Sequence, residues 1–474
     1  MKKFKYLYIP LELYHRELRG VLLLASIAAH NGWTIIFGPK TALLPVYDVL
    51  PPGVFFPKSV VPGEEPQFLR LVEHGHKIAS VDAEGLITDN GELGVVRRYS
   101  QKTVELSSLL FFWGVEQYNQ ASIYIKNITD KSIVTGSPLF DYWRLQKFNY
   151  IKPKENLNNK KTILIASSFG MVNHITGLGE TPHLQISSAG KEVYEKHFEY
   201  LSDTIKVKKI TFESFKLMVN DLIKSLDGQY NIIIRPHPSE DISEWEKIIN
   251  SNESVSIQSG GSISKMLLNC DILIHSDSTT SIEGYYYGKD IIAFAPNNLP
   301  DELLKVLNQN ILKVSNVCRS SDDIVSIINQ IRLGDNLKPK FNLSNIIHAC
   351  DSLDIAFSSK RIVEALDSIK QETTKQTPSV FVLFFSFNRI ITKIKFRFIW
   401  VIAWLDFFLN LFDGKYAPRR TRYKYGKTKQ DPLDLQTINR ILLEVSEGLN
   451  SNSKNIKSLQ INKYLFMLYT DRKD

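Results

Sequence analysis

The stretch IIIRPHPSED, Ile232 to Asp241, places an arginine and a histidine where a run of apolar residues ends. The run predicts a buried strand, so Arg235 and His237 would follow its carboxyl end, where open α/β sheets bind ligands. Pro236 and Pro238 remove two backbone donors and restrict the backbone, which holds the imidazole in one direction. A fixed cation and a fixed proton donor suit a departing phosphate. The alternative is a structural histidine in a tight turn.

A row of hydroxyls follows a second predicted strand, DILI. Its members are Ser276, Ser278, Thr279, Thr280 and Ser281. Free amides at the start of the next helix would bind phosphate, although a helix cap alone needs just one such residue. Glu283, in the first turn, would accept hydrogen bonds from ribose hydroxyls or complete a capping box. Both roles are compatible with a nucleotide.

Two acids, Asp82 and Glu84, follow a third predicted strand in SVDAEGL. Being two residues apart, they would face one side of an extended chain. Such a pair can divide catalytic roles between an ionised base or nucleophile and a supporting acid. A divalent metal site and a solvated turn before Gly85 are the alternatives.

Weaker signals come from two further loops. Ser167 and Ser168, in SSFG, follow the predicted strand TILIA and would line the nucleotide. The stretch VTGSPLFD closes the first domain with a Gly-Ser-Pro turn.

The elements that must position these residues alternate between strand and helix, first through KYLYIPLEL, WTIIFG, HKIASVDAEG, SSLLFFWG and KSIVTGSP. After the polar stretch 152–161 the alternation restarts. Alternation of this kind predicts parallel sheets covered by helices. The expected fold class is α/β, with two Rossmann-like doubly wound domains facing a cleft, over 1–150 and 160–375, followed by an amphipathic basic region over 376–474.

That last region carries most of the excess positive charge. The chain has a net charge of +8, and eleven Lys or Arg stand against two acids between Arg389 and Lys429. Basic residues mixed with Phe, Trp and Ile favour a helix lying in a lipid headgroup layer. A long helix packed across the domains, with a solvated basic tail, is the alternative.

The cysteine positions and the apolar stretches indicate where in the cell the protein acts and which kinds of site it lacks. Cys270, Cys318 and Cys350 are widely spaced, without CxxC pairs or nearby histidines, so neither a disulfide framework nor a structural zinc site is indicated. The first residues do not predict a signal peptide, because Glu12, His15, Arg16 and Glu17 interrupt their apolar stretch, and no uncharged apolar stretch of about 18 residues predicts a spanning helix. We expect a cytoplasmic protein, peripheral on the inner face of the cytoplasmic membrane.

Taken together, LYIPLELYHRELRGVLLLASIAA, VDAEGL, FFWGVEQ, VTGSPLFDYWR, RPHP and HSDSTTSIEGYYYGK resemble the surface carbohydrate biosynthesis proteins. More widely, residues 5 to 330 are similar to GT-B glycosyltransferases with a His-Pro motif, which include bacterial sialyltransferases and Kdo transferases. The resemblance implies that His237 and the Ser/Thr run contact the donor phosphate and that Glu283 holds the ribose. Sialyltransferases carry two acids before a glycine, whereas Ala83 and Glu84 precede Gly85 here, so Asp82 and Glu84 both stay candidates.

The sequence therefore predicts a metal-independent glycosyltransferase without a cofactor. It would transfer a CMP-linked Kdo- or sialic-type acid to a surface polysaccharide, such as a capsule or lipopolysaccharide, or to a lipid-linked glycan acceptor at a membrane surface. Nucleic acid is not an expected partner. Glu84 or Asp82 would activate the acceptor or attack the anomeric carbon, and Arg235, His237 and the hydroxyl run would hold the phosphate.

Three other functions fit parts of the pattern. A CDP-polyol phosphotransferase of the teichoic-acid type shares the fold, an R-x-HP-like motif and a membrane-bound acceptor. A UDP-sugar 2-epimerase shares the fold and a Ser-rich, Glu-bearing loop. A membrane-surface scaffold with a degenerate nucleotide site would not be an enzyme.

Overall fold

A computed structural model of the chain describes residues 5–12, 14–86, 91–149, 160–175, 195–226, 228–249, 254–333, 343–351, 353, 357–370, 433–449 and 456–470. These residues form two compact units. The first unit takes the described residues within Met1–Glu84, Arg98–Leu145 and Asp351–Asp474, and the second takes those within Gly85–Arg97 and Gln146–Cys350.

The strands are β1 Lys5–Leu11, β2 Trp33–Pro39, β3 Val54–Phe55, β4 Lys77–Val81, β5 Leu109–Phe112, β6 Ser132–Val134, β7 Thr162–Ala166, β8 Asn231–Arg235, β9 Val255–Ile257, β10 Ile272–His275, β11 Asp290–Phe294, β12 Asn316–Cys318, β13 Ile456–Gln460 and β14 Phe466–Thr470.

The α-helices span Tyr14–His30, Lys40–Leu43, Glu65–Glu73, Glu92–Arg98, Gln101–Leu106, Val115–Tyr124, Pro138–Asn149, Phe198–Leu226, Ser243–Ile249, Ile263–Asn269, Thr280–Tyr286, Gln309–Lys313, Ser321–Leu333, Ser358–Asp367 and Leu435–Gly448. Shorter 3-10 helices span Leu44–Val49, Thr129–Lys131, Asp301–Val306 and Leu343–Asn345.

The sheet of the first unit has the strand order β13-β14-β2-β1-β3-β4-β5-β6. Its β1–β6 portion is parallel, and its order, β2-β1-β3-β4-β5-β6, is that of flavodoxin-like sheets. The order reverses between β1 and β3, where such sheets have their ligand crevice. Strands β13 and β14 form an antiparallel hairpin that pairs with β2.

The sheet of the second unit is parallel throughout, in the order β12-β11-β10-β7-β8-β9. Counted from β7, this is the Rossmann order 3-2-1-4-5-6, and the switch point lies between β7 and β10. Apolar side chains of the long helix Phe198–Leu226 pack on it, with Phe215, Val219 and Leu222 wholly buried. The predicted fold class of two Rossmann-like parallel-sheet domains is confirmed.

The boundaries between the units differ from the predicted ones in two places. Gly85–Arg97 leaves the predicted first domain for the second unit, and the described residues from Asp351 onward return to the first unit before the predicted boundary at 375. Asp141 holds the chain where it re-enters the first unit. Its buried carboxylate accepts hydrogen bonds from the amides of Ser358 at 2.8 Å and Ser359 at 2.7 Å. These amides open the helix Ser358–Asp367, whose donors need such a partner.

The Gly-Ser-Pro turn of VTGSPLFD also contacts the chain where it re-enters the first unit. Gly136 has a φ of +80°, and a Cβ on it would lie 2.4 Å from the carbonyl oxygen of Asp351. Glycine is therefore required twice at this position, by the left-handed backbone and by the close approach of the returning chain.

The end of the chain completes the first sheet. Phe466, Met467 and Leu468 of β14 are fully buried, and β14 pairs with β2 over Phe37, Ile36 and Ile35. The basic and aromatic stretch that we predicted to meet a membrane, 376–432, lies outside the described residues. None of the helices in the described ranges combines the length and apolar composition that a membrane crossing needs.

We predict that a chain ending at Leu449, without β13 and β14, does not fold its first unit. Each large apolar side chain lost from the core removes about 1.5 to 3 kcal/mol, and three or four such losses approach the whole stability of a domain. Thermal unfolding followed by circular dichroism should lose the transition of that unit. A chain ending at Thr470 is the control, and equal transitions in both chains would contradict the role assigned to the hairpin.

Candidate functional site

His237 lies in the loop that leaves the carboxyl end of β8. Its Nδ1 atom is 2.7 Å from the hydroxyl of Ser239 and 3.3 Å from the backbone nitrogen of Ser239. An N–H group can only donate, so Nδ1 is an acceptor and the neutral ring carries its proton on Nε2. The side chain is exposed. The predicted fixed donor is therefore present as an Nε2–H group.

The loop after β7 packs directly against this histidine loop. The amide of Ser167 donates to the carbonyl of Arg235 at 3.1 Å. A Cβ on Gly170 would lie 1.9 Å from Oγ of Ser239 and 3.3 Å from Nδ1 of His237, so only glycine fits there. The two loops thus share one contact surface.

The loop after β10 joins the same group through Ser168, whose hydroxyl donates to the carbonyl oxygen of Ser276. Strands β7 and β10 are neighbours at the switch point of this sheet. We call the residues Ser167–Gly170, Pro236–Glu240 and Ser276–Thr280 the three-loop site. It brings together the serines, the histidine and the hydroxyl run that the sequence singled out in this half of the chain.

The hydroxyl run divides into two groups. Ser278 Oγ accepts the amide of Thr280 at 3.4 Å, and the hydroxyl of Ser281 donates to the carbonyl of Ser278 at 2.8 Å, so both residues start the helix Thr280–Tyr286. Thr279 is exposed and Thr280 is half-buried. These two threonines are the members of the run that a ligand can reach most directly.

Asp277 places a carboxylate in the middle of this loop, which the sequence analysis did not weigh. Its φ is +54°, a conformation that Asp tolerates better than most residues. One carboxylate oxygen accepts the amide of Asn308 at 2.9 Å, and the other pairs with Nζ of Lys208 at 2.9 Å. The negative charge beside the proposed phosphate is thereby compensated.

His275, at the end of β10, is a structural histidine. It is fully buried, and burial lowers its pKa to about 4. Nδ1 accepts the amide of Ser278 at 3.4 Å, while Nε2 lies 3.0 Å from the hydroxyl of Ser315. The ring is therefore neutral and holds the start of the hydroxyl loop in place.

Glu240 is the residue of this site that the sequence analysis missed. It is 2% exposed, and its oxygens accept hydrogen bonds from the Ser167 hydroxyl, the Trp245 indole and the amides of Phe169 and His237. Burial raises the pKa of Glu240, and these hydrogen bonds lower it by less. The only sequence signal was an acid three residues after the histidine, which gives no indication of burial.

Arg235 has a different environment from the one predicted. Its guanidinium donates to the carbonyls of Gln258 at 2.8 Å, Gly260 at 3.0 Å and Gly261 at 3.4 Å. Burial lowers its pKa. The guanidinium thus supports the loop after β9, and its contact with phosphate stays a prediction.

Glu283 also departs from its predicted exposure to a ribose. It is 4% exposed, and burial raises its pKa to about 7, with hydrogen bonds from Ser264 and Tyr287 acting in the opposite direction. Within the described residues, its Oε1 atom has no hydrogen-bond partner. The carboxyl group lies inside the second unit.

The two predicted acids of the first unit share a single guanidinium. Arg98 Nε donates to Asp82 at 2.8 Å, a second Arg98 nitrogen pairs with Asp82, and Nη1 donates to Glu84 at 2.8 Å. Asp82 Oδ1 also accepts the amide of Glu84 at 3.0 Å. Both carboxylates are therefore compensated by a cation that the sequence analysis did not consider.

A pocket of the first unit lies beside this pair. Its wall includes Leu11, Phe56, Asp82, Trp113 and Leu139, four of which follow or end neighbouring strands of the sheet. The indole N–H of Trp113 has no hydrogen-bond partner in the described part of the chain. The pocket occupies the edge where open α/β sheets hold ligands.

Comparison with solved structures agrees with the fold. The MnaA protein of S. aureus in complex with UDP matches with a TM-score of 0.50 and 13% identity, over 79% of this chain and all of that one. A putative UDP-N-acetylglucosamine 2-epimerase from Listeria monocytogenes matches with a TM-score of 0.46 and 13% identity, over 77% of this chain and 96% of that one. The UDP-GlcNAc 2-epimerase of Neisseria meningitidis bound to UDP-GlcNAc matches with a TM-score of 0.46 and 14% identity, over 78% of this chain and 100% of that one.

No protein-family model and no curated protein matches the chain. At such identities the structural likeness concerns the fold alone, a GT-B-like pair of Rossmann-like domains. The narrower resemblance to sialyltransferases and Kdo transferases with a His-Pro motif is not supported, because the matching structures named above carry other names.

We predict that Glu283→Gln stabilises the protein at pH 8 more than at pH 5. The folded-state pKa of about 7 lies above the ordinary 4.5, so the folded protein retains a proton that the unfolded chain loses as pH rises through this interval. Stability therefore falls from pH 4.5 to pH 7, by about 3 kcal/mol in total, and glutamine removes this cost.

Urea unfolding at the two pH values measures the effect. Glu199→Gln, at an exposed position of the helix Phe198–Leu226, is the control and should change stability by less than about 0.5 kcal/mol. Equal changes at both pH values in Glu283→Gln would show that the carboxyl group does not titrate as stated.

Proposed function

We propose that the second unit binds the nucleotide of an activated sugar at the three-loop site and that the chain is an enzyme acting on that sugar. One observation carries the proposal: the Ser168–Ser276 hydrogen bond joins the β7 and β10 loops at the switch point of a Rossmann-type sheet. Nucleotides bind at this position in such sheets. The adjoining loop adds a histidine with a fixed Nε2–H donor.

We propose UDP as the nucleotide and 2-epimerisation of a UDP-sugar as the reaction, in place of transfer from a CMP-sugar. The UDP bound by the S. aureus protein of similar fold supports this choice.

The roles proposed at the three-loop site follow from hydrogen-bond chemistry. His237 donates from Nε2 to a phosphate oxygen, and the hydroxyls of Thr279 and Thr280 donate to the same group. Donors aimed at a phosphate stabilise the charge it gains when its bond to the sugar breaks. Lys208 keeps Asp277 compensated, so that the carboxylate does not repel the phosphate.

Transfer of the sugar to a glycan or lipid-linked acceptor is the second candidate. The observation that favours it is the basic and aromatic composition of residues 389–429, for which an epimerase has no evident use. In that case the pocket of the first unit would take the acceptor. A membrane surface would be a partner, and the protein would lie on the inner face of the cytoplasmic membrane.

Binding and turnover distinguish the candidates. We expect UDP at a hundred times its dissociation constant to raise the melting temperature by about 5 to 10 °C. Proton NMR should then show UDP-N-acetylglucosamine converting to its C2 epimer, with turnover retained in EDTA. Stabilisation by CMP alone would favour the transferase, by CDP alone the polyol phosphotransferase, and by none of the three the scaffold.

We predict that His237→Ala weakens UDP binding about tenfold without lowering the melting temperature of the free protein by more than about 2 °C. The variant loses one hydrogen bond to a charged group, worth about 1.5 kcal/mol, and the side chain is exposed. Isothermal titration calorimetry measures the affinity. His74→Ala, at an exposed histidine of the first unit, is the control, and unchanged affinity in His237→Ala would remove His237 from the site.

We predict that deleting residues 379–429 abolishes sedimentation with anionic vesicles but leaves UDP binding intact. The deletion removes the basic residues and keeps β13 and β14, which the first sheet requires. Vesicles containing phosphatidylserine are compared with neutral vesicles, because lysines and arginines near an anionic surface add about 1 kcal/mol each. If both proteins sediment with anionic vesicles, another part of the chain binds the membrane. If neither sediments, the membrane hypothesis is wrong.

A further inference from the structure

The buried carboxylate of Glu240 is surrounded by donors. Oε1 accepts the amide of Phe169 at 2.9 Å and that of His237 at 3.1 Å. Oε2 accepts the indole N–H of Trp245 at 3.0 Å. The hydroxyl of Ser167 lies 2.8 Å from Oε1 and 2.9 Å from Oε2.

Three of these four donors cannot change role. Amide and indole N–H groups only donate, whereas a serine hydroxyl can donate or accept. A buried group that accepts from such fixed donors must offer an acceptor to each, and the ionised carboxylate does so. A protonated carboxyl also does so if its O–H group donates to Ser167, whereas an amide does not, because its NH2 group would face the indole N–H of Trp245.

The donors come from different parts of the site. Ser167 and Phe169 belong to the β7 loop, His237 to the β8 loop and Trp245 to the helix Ser243–Ile249. The β7 loop is in turn joined to the β10 loop by the hydrogen bond between Ser168 and Ser276. One carboxylate thus connects, directly or through one further bond, all three loops.

The β8 loop also contains the contact that sets the histidine tautomer. The amide of His237 is held by Glu240, and the amide of Ser239 donates to Nδ1 of His237. The amide of Glu240 itself donates to the carbonyl of His237 at 2.8 Å. The turn is therefore closed on both sides of Ser239.

We infer that Glu240 is a positioning residue of the three-loop site: its carboxyl group holds the β7 and β8 loops in register and keeps the proton of the neutral His237 ring on Nε2. The inference rests on the proposed function for its effect on nucleotide affinity. Its effect on the tautomer of His237 does not depend on any ligand.

The test is a pair of substitutions, Glu240→Gln and Trp245→Phe, made singly and together. In Glu240→Gln the amide oxygen can keep the two backbone donors at Oε1, and its NH2 group can donate to Ser167. The NH2 group then faces the indole N–H of Trp245, donor against donor. Trp245→Phe removes that indole N–H and with it the conflict.

We expect Glu240→Gln to weaken UDP binding about tenfold or more in calorimetry and to raise the fraction of His237 protonated on Nδ1, measured by nitrogen-15 NMR. Trp245→Phe alone should stay within about threefold of the parent, and the double variant should recover to the same range. Glu244→Gln, on the neighbouring helix and half-buried, is the matched control and should change neither readout.

Two results would overturn the inference: an unchanged His237 tautomer in Glu240→Gln, or a double variant as impaired as Glu240→Gln. If Glu240→Gln does not fold, recovery of folding and of the parental tautomer in the double variant supports the inference, and failure to recover refutes it. If the parent binds no nucleotide, the proposed function fails, while the tautomer comparison still tests the role of Glu240.

Discussion

A carboxyl group buried in the second unit needs hydrogen-bond partners in place of water, and Glu240 finds them in donors from three segments. The requirement works in both directions. The carboxylate needs the loops closed around it, and the loops need the carboxylate, because their own amides would otherwise be buried without acceptors. The geometry of the three-loop site depends on this mutual need.

Two other acids at the carboxyl ends of the strands also have partners for their buried or half-buried carboxylates. Asp277 is matched by Lys208, and Asp82 is matched by Arg98. Acids therefore stand at both predicted sites, and Asp277 and Asp82 each pair with a cation from their own unit. The roles proposed at the three-loop site therefore rest on donors such as His237.

The fold was largely predictable, because short apolar runs alternating with helices admit few arrangements. The loops at the switch point followed from the same pattern, because Ser168, His237 and Ser276 each come shortly after the end of a predicted strand of one sheet. Partners distant in sequence were not predictable: Arg98 for the acids, Ser167 and Phe169 for Glu240, and β14 for β2. Burial also escaped the sequence, so Glu283 was placed at a ribose although it lies inside the unit.

The pairing of β14 with β2 has a consequence for the order in which the protein forms on the ribosome. Residues 146–350, most of the second unit, emerge while the first sheet still lacks its last two strands. The edge of β2 stays uncovered until Phe466–Thr470 has been synthesised, and an uncovered edge strand can pair with another chain. The half that emerges first is therefore the half that is completed last.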